Sequence, residues 1–201
     1  MKRKVQLTGE FLTHRTLWRT AQRFLAVGLG EPKGSFYPLL AAAVFSYFAF
    51  EAFLNAALRA VAHDVWVDER TFFSKGEYRG TLGKFGYLAA ISEQVVDKSR
   101  RPYQTVRELS DARDFLVHAK TEEFDVIVPA ERLDEMRPHP SALDRYSSAE
   151  FVARAVADVE ALSDALHSSL VAKFGNIGIG SGQGAFSGID SQWHASLVPE
   201  P

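Results

Sequence analysis

Arg113 and His118 stand five residues apart in the run Arg113-Asp114-Phe115-Leu116-Val117-His118, and their side chains are the ones best suited to chemistry in this chain. A guanidinium stays charged at ordinary pH and can stabilise charge on a phosphoryl group in transit; an imidazole can take or return a proton near neutrality. Asp114 adds a carboxylate that can orient the imidazole or position a nucleophile. On a helical wheel Val106, Leu109, Ala112, Leu116 and Val117 gather on one face, and Arg113 falls inside that face. An unpaired buried guanidinium is costly, so Arg113 must meet a carboxylate, line a cleft or face a second subunit.

His118 lies roughly 140° from Arg113 on an ideal helix, with Asp114 four residues before it and Arg107 and Ser110 on the same side. The two groups converge on one ligand if the helix bends near its end, or if a twofold axis brings a second copy of the pair across. An upstream helix offers a complement: Tyr47, Glu51, Asn55, Arg59 and His63 follow one another at four-residue spacing along an otherwise apolar rod. Glu51 is the acidic residue inside the apolar stretch and so the best candidate to neutralise Arg113, whereas a solvated face or a buried polar clamp is the bland reading of Glu51 with Asn55. A purely architectural reading also stands, with Arg113 buried against Glu51 and His118 capping its helix.

Lys98, Arg100, Arg101, Arg107, Arg113 and Lys120 cluster around the motif helix and could hold RNA or a nucleotide, although Glu108, Asp111 and Asp114 partly cancel them. The histidines show no paired metal-ligand spacing, so neither a metal nor another cofactor is expected. Gly178-Ile179-Gly180-Ser181-Gly182 is not followed by Lys-Ser/Thr and does not read as a phosphate loop.

The 201 residues contain no cysteine, which removes disulfides and thiolate chemistry and fits a reducing compartment. With 46% apolar and 24% charged residues and a net charge of −2, the composition is that of an ordinary globular chain and selects no partner by global charge. The basic start lacks the apolar run of a signal peptide, so a cytoplasmic protein is expected. Phe36 to Ala62 is apolar enough to raise a membrane span, but Glu51, Asn55 and Arg59 interrupt it and favour a core helix outside any membrane.

The elements that must position the motif read as an all-α, up-and-down bundle of about five helices. They run from about Phe11 to Val27, Phe36 to His63, Leu82 to Asp97, Tyr103 to Ala119, and from a Ser147 or Ser148 cap through Leu170. Asp64 to Arg79 reads as an irregular connector. Glu122 to Tyr146, with Pro129, Pro138 and Pro140, reads as an irregular loop after the fourth helix, holding at most an extended piece at Val126-Ile127-Val128. The bundle domain is expected over 1–174. Residues 175–201, rich in glycine and serine with no period to bury a face, are expected to form a flexible tail.

The segment 113–118 resembles the Arg-polar-x-x-x-His signature of HEPN domains. Its setting Tyr103 to Ala112 and the helix Ser46-Tyr47-Phe48-Ala49-Phe50-Glu51-Ala52-Phe53-Leu54-Asn55-Ala56 are similar to that family as well, so the resemblance covers roughly residues 36 to 120. It implies a helical homodimer whose two motif copies line one cleft and, in active members, metal-independent RNA cleavage by attack of the ribose 2′-hydroxyl. His118 would be the acid/base, Arg113 would stabilise the phosphoryl group, and Arg107, Ser110, Lys120, Glu51 and Asn55 would support them. A toxin or anti-phage effector of this kind would have a cognate antitoxin. Lys120 stands where members paired with a nucleotidyltransferase antitoxin carry tyrosine, and Asp114 stands where asparagine is more usual. The alternative is a non-catalytic module of the same fold that binds RNA, a nucleotide or a protein.

Overall fold

The computed structural model describes residues 5–31, 33–118, 123, 125, 141–179 and 184–197. Among them the chain is mainly helical, with eight helices and one two-stranded sheet: β1 (Val5–Phe11), α1 (Thr13–Gly30), α2 (Phe36–Val61), α3 (His63–Val67), α4 (Glu69–Phe72), α5 (Gly80–Ile91), α6 (Tyr103–Val117), α7 (Ala142–Tyr146), α8 (Ala149–Phe174) and β2 (Ser191–Leu197).

Helix α2 is the spine because it is apolar nearly all round, the pattern of a helix surrounded by others. It packs against α1, α5, α6 and α8 and buries Phe50, Phe53, Leu54, Ala57 and Leu58 completely. By length and composition α2 is also long and apolar enough to cross a membrane, while half of its most apolar window is buried within the fold. Helix α8 forms where its stripe requires, with Val152, Ala155, Val159, Leu162, Leu166 and Leu170 all buried. Ser148 caps it by accepting from the Phe151 N–H at 3.3 Å, an interaction that typically contributes about 1 kcal/mol.

Each of the five expected helices has a counterpart, with shifted ends and additions that raise the count. The first residues form β1 before α1 begins, and the connector after His63 contains α3 and α4. Helix α5 stops at Ile91, six residues short of the expected Asp97. Glu93 takes a left-handed φ of 58°, the Gln94 N–H donates to Ala89 O at 2.8 Å and the Glu93 N–H to Ala90 O at 3.1 Å. These bonds close the helix in the manner that glycine usually permits. In the stretch read as a loop, Ser141 and Asp144 build a reciprocal cap that starts α7. The extended piece expected at 126–128 lies outside the described residues.

The C-terminal segment departs most from expectation. Rather than a tail with nothing to bury, it buries Ile179, Ala185 and Phe186, and Phe186 stacks on Trp18 with ring centroids 4.5 Å apart. Beyond it, β2 pairs antiparallel with β1, Val5 opposite Leu197 and Phe11 opposite Ser191. The turn between Phe186 and β2 depends on Gly188, whose φ is +97° and where a Cβ would lie 2.9 Å from Arg15 Nη1.

Candidate functional site

Helix α6 carries the motif, and α2 lies against it. Thr105, Val106, Leu109 and Ala112 bury one side of α6, which leaves Ser110, Arg113 and Asp114 to flank the seam with α2. Across that seam the Tyr47 hydroxyl donates to Ser110 Oγ at 3.0 Å. Burial is the main cause that raises the Tyr47 phenol above its ordinary value, with the nearby Glu51 and Asp114 charges adding and bonds to Ser110 and Thr81 opposing. Tyr47 is therefore a neutral hydrogen-bond donor at this site.

Arg113 finds its carboxylate in its own neighbour: Nη1 donates to Asp114 Oδ1 at 2.9 Å. That bond is the largest cause raising the Arg113 pKa, burial opposes it, and Glu51 contributes electrostatically from α2. The expected partner Glu51 instead accepts from Thr81 Oγ1 at 2.9 Å. Thr81 belongs to α5, so this bond holds Glu51 toward that helix. Arg113 is not fully buried, because its side chain remains 35% exposed. Its Nε is buried without a hydrogen-bond partner among the described residues, a condition that typically costs about 1–3 kcal/mol.

His118 is the C-cap residue of α6, where its backbone N–H donates to Asp114 O at 3.0 Å. Its ring is exposed and has no hydrogen-bond partner among the described residues. Arg107 is likewise exposed and unpaired among them, while Lys120 lies outside the described residues. Asn55 is not gathered with the motif. It accepts from Lys84, a buried ammonium that also pairs with Glu69 and sits 5.7 Å from the Phe73 ring centroid. The row along α2 therefore drifts around the helix, with Tyr47 bonded to α6, Glu51 and Asn55 to α5, and Arg59 to Glu10 of β1 at 3.0 Å.

Half of the basic cluster around α6 is ion-paired among the described residues: Arg100, Arg101 and Arg113. Arg100 pairs with Asp97 at 2.8 Å, and Arg101 forks onto the buried Asp158 of α8 at 2.7 and 2.9 Å. Glu108 takes both Arg145 and Arg154. Among the described residues no three His, Asp or Glu side chains come together as a metal ligand set.

A second polar constellation lies toward the C-terminal end of α2, around His14 and His167, two of the histidines whose spacing argues against a metal site. His14 is 1% exposed and its Nε2 donates to Ile179 O at 3.1 Å. Burial pushes its pKa down to about 4, with Arg15 and His167 adding in the same direction and backbone carbonyls opposing. Burial lowers His167 as well. Beside His14 opens a cavity of about 300 Å³, bounded by Glu10, Leu12, Ala56, Arg59 and Ile179. The available signal was the polar pair His14-Arg15 placed one turn before Trp18 on an otherwise apolar face.

No sequence family, curated protein or solved structure matches the chain.

Proposed function

We propose that the chain is a HEPN-like, metal-independent endoribonuclease built on a core of five helices and active as a homodimer. The observation that carries this reading is the placement of three reactive groups along one stretch of α6. Arg113 is partly exposed and bonded to Asp114, and the His118 ring is exposed at the end of the same helix. In a dimer that faces two such helices, an imidazole can deprotonate a ribose 2′-hydroxyl, the hydroxyl oxygen attacks the adjacent phosphorus, and the 5′-oxygen leaves with a proton. Arg113 stabilises the charge on the phosphoryl oxygens, and Asp114 holds the guanidinium in place. A cytoplasmic toxin or anti-phage effector with a cognate antitoxin is the setting such an activity fits.

A non-catalytic module that binds RNA, a nucleotide or a protein is the second reading. It is favoured by the ion pair that occupies Arg113 with Asp114, while the exposed Arg107 remains open to a phosphate beside the motif. Incubating RNA with the wild type in excess chelator separates the two. The nuclease reading expects cleavage that His118→Ala abolishes; binding without turnover supports the module.

A further inference from the structure

The face of the β1–β2 ribbon is the largest unexplained feature of the molecule. In the observed register Val5, Leu7, Gly9 and Phe11 share a side with Leu197, Ala195, Trp193 and Ser191, because successive strand residues alternate between faces. Among the described residues that side holds no charge, and its large residues are open to solvent: Val5 53%, Leu7 68%, Phe11 87%, Trp193 71% and Leu197 59% exposed. The opposite side carries Gln6, Thr8, Glu10, Gln192, His194 and Ser196, so the ribbon is amphipathic with its apolar face outward. Gly9 sits opposite Trp193, where a Cβ would come within 2.7 Å of the Trp193 Cβ; its absence leaves room for the indole across the ribbon.

An isolated two-stranded ribbon is marginal in water, and among the described residues no helix packs across either strand. Its base is nonetheless fixed firmly. The Leu12 N–H donates to Asp190 O at 2.7 Å, Arg19 donates to Gly188 O at 2.6 Å and pairs with Asp190 at 2.9 Å, and Arg15 donates to Ile189 O. The fold thus holds out an apolar platform instead of folding it back onto α2.

We propose that this platform packs face to face on the same platform of a second copy, making a four-stranded sandwich about a twofold axis. The extent of the face fits that occupant. Five large side chains at these exposures present on the order of 500–850 Å² of surface, taking ~150–250 Å² for a fully exposed large side chain. Complete burial of two such faces would remove about 1,000–1,700 Å² from solvent, a range that overlaps that of stable specific interfaces. A surface without charge selects no acidic or basic partner, and a patch of one composition meeting itself is what a twofold contact requires. The inference makes this ribbon contact, rather than one through α6, the contact that holds two copies together, and it stands whether or not the chain cleaves RNA.

The absence of cysteine allows a clean test on the full chain. Sedimentation over a series reaching about 100 µM, since interfaces of this size range from µM to pM in affinity, should give a dimer of the 22.3 kDa chain. The double variant Leu7→Glu/Trp193→Glu should sediment as a monomer with unchanged helical circular dichroism. As a second reading that perturbs the fold little, Ala195→Cys on the apolar face should cross-link into dimers with a bismaleimide of about 10 Å reach, the spacing of packed sheets. Ser196→Cys on the opposite face should not. A wild-type monomer overturns the proposal, including one whose ribbon binds lipid vesicles instead; so does a dimer that survives the double glutamate variant, or cross-linking that does not discriminate between 195 and 196.

Discussion

Arg113 Nη1 and Asp114 Oδ1 lie 2.9 Å apart, so the arginine of the motif is held by the residue that follows it in sequence. The contact is local to α6, which lets the guanidinium stay partly exposed instead of being drawn into the bundle by Glu51. The same carboxylate places a negative charge where an RNA phosphate would approach.

Replacing Asp114 with asparagine keeps the shape and removes that charge. RNA affinity should rise by about threefold to tenfold at low ionic strength, and the gain should shrink as salt increases. Fluorescence anisotropy with a labelled oligoribonucleotide across a salt series reads this directly. Equal or weaker binding would mean that phosphate does not approach Arg113.

His14 makes stability depend on pH. The folded protein holds its imidazole at about 4 against an ordinary value of 6.5. The unfolded chain therefore gains a proton between those values that the folded chain refuses. Stability is complete above pH 6.5 and declines as pH falls toward 4, by about 3 kcal/mol for this group. His14→Gln keeps a donor for Ile179 O and should flatten the decline without removing it, because His167 is lowered too. Urea unfolding at pH 7, 6, 5 and 4 gives the slope, and an equal slope in the variant would contradict the assignment.

Phe186 gives the C-terminal segment its hold on the bundle. It stacks on Trp18 and lies 5.9 Å from the Phe53 ring centroid. Phe186→Ala should destabilise the whole protein by about 3 kcal/mol in chemical denaturation, as large-to-small core changes do. No loss of stability would restore the reading of the segment as a tail.

These features differ in how far the sequence discloses them. The stripe of α8 and the apolar surface of α2 repeat at helical spacing, so burial follows from the pattern alone. The end of α5 does not, because Glu93 occupies a backbone conformation that usually announces itself through glycine, and the bonds that hold it are backbone bonds. Ile179, Ala185 and Phe186 are isolated apolar residues among glycines and serines. Their burial depends on a groove beside α1 that other parts of the chain create, and no local period encodes it. The seam around Arg113 is intermediate. Residue types identified Arg113, Asp114, Ser110 and Glu51 as neighbours of one region, but Thr81 and Lys84 compete for Glu51 and Asn55 from α5, a helix whose facing could not be read from α2.

The chemistry assigned to α6 is tested most directly by the ends of the cleaved RNA. With chelator present, the wild type should leave a 2′,3′-cyclic phosphate and a free 5′-hydroxyl, should lose activity on His118→Ala, and should not cut an oligonucleotide lacking 2′-hydroxyls. Cleavage of the deoxy substrate, products with 5′-phosphates, or no cleavage of RNA at all would contradict it.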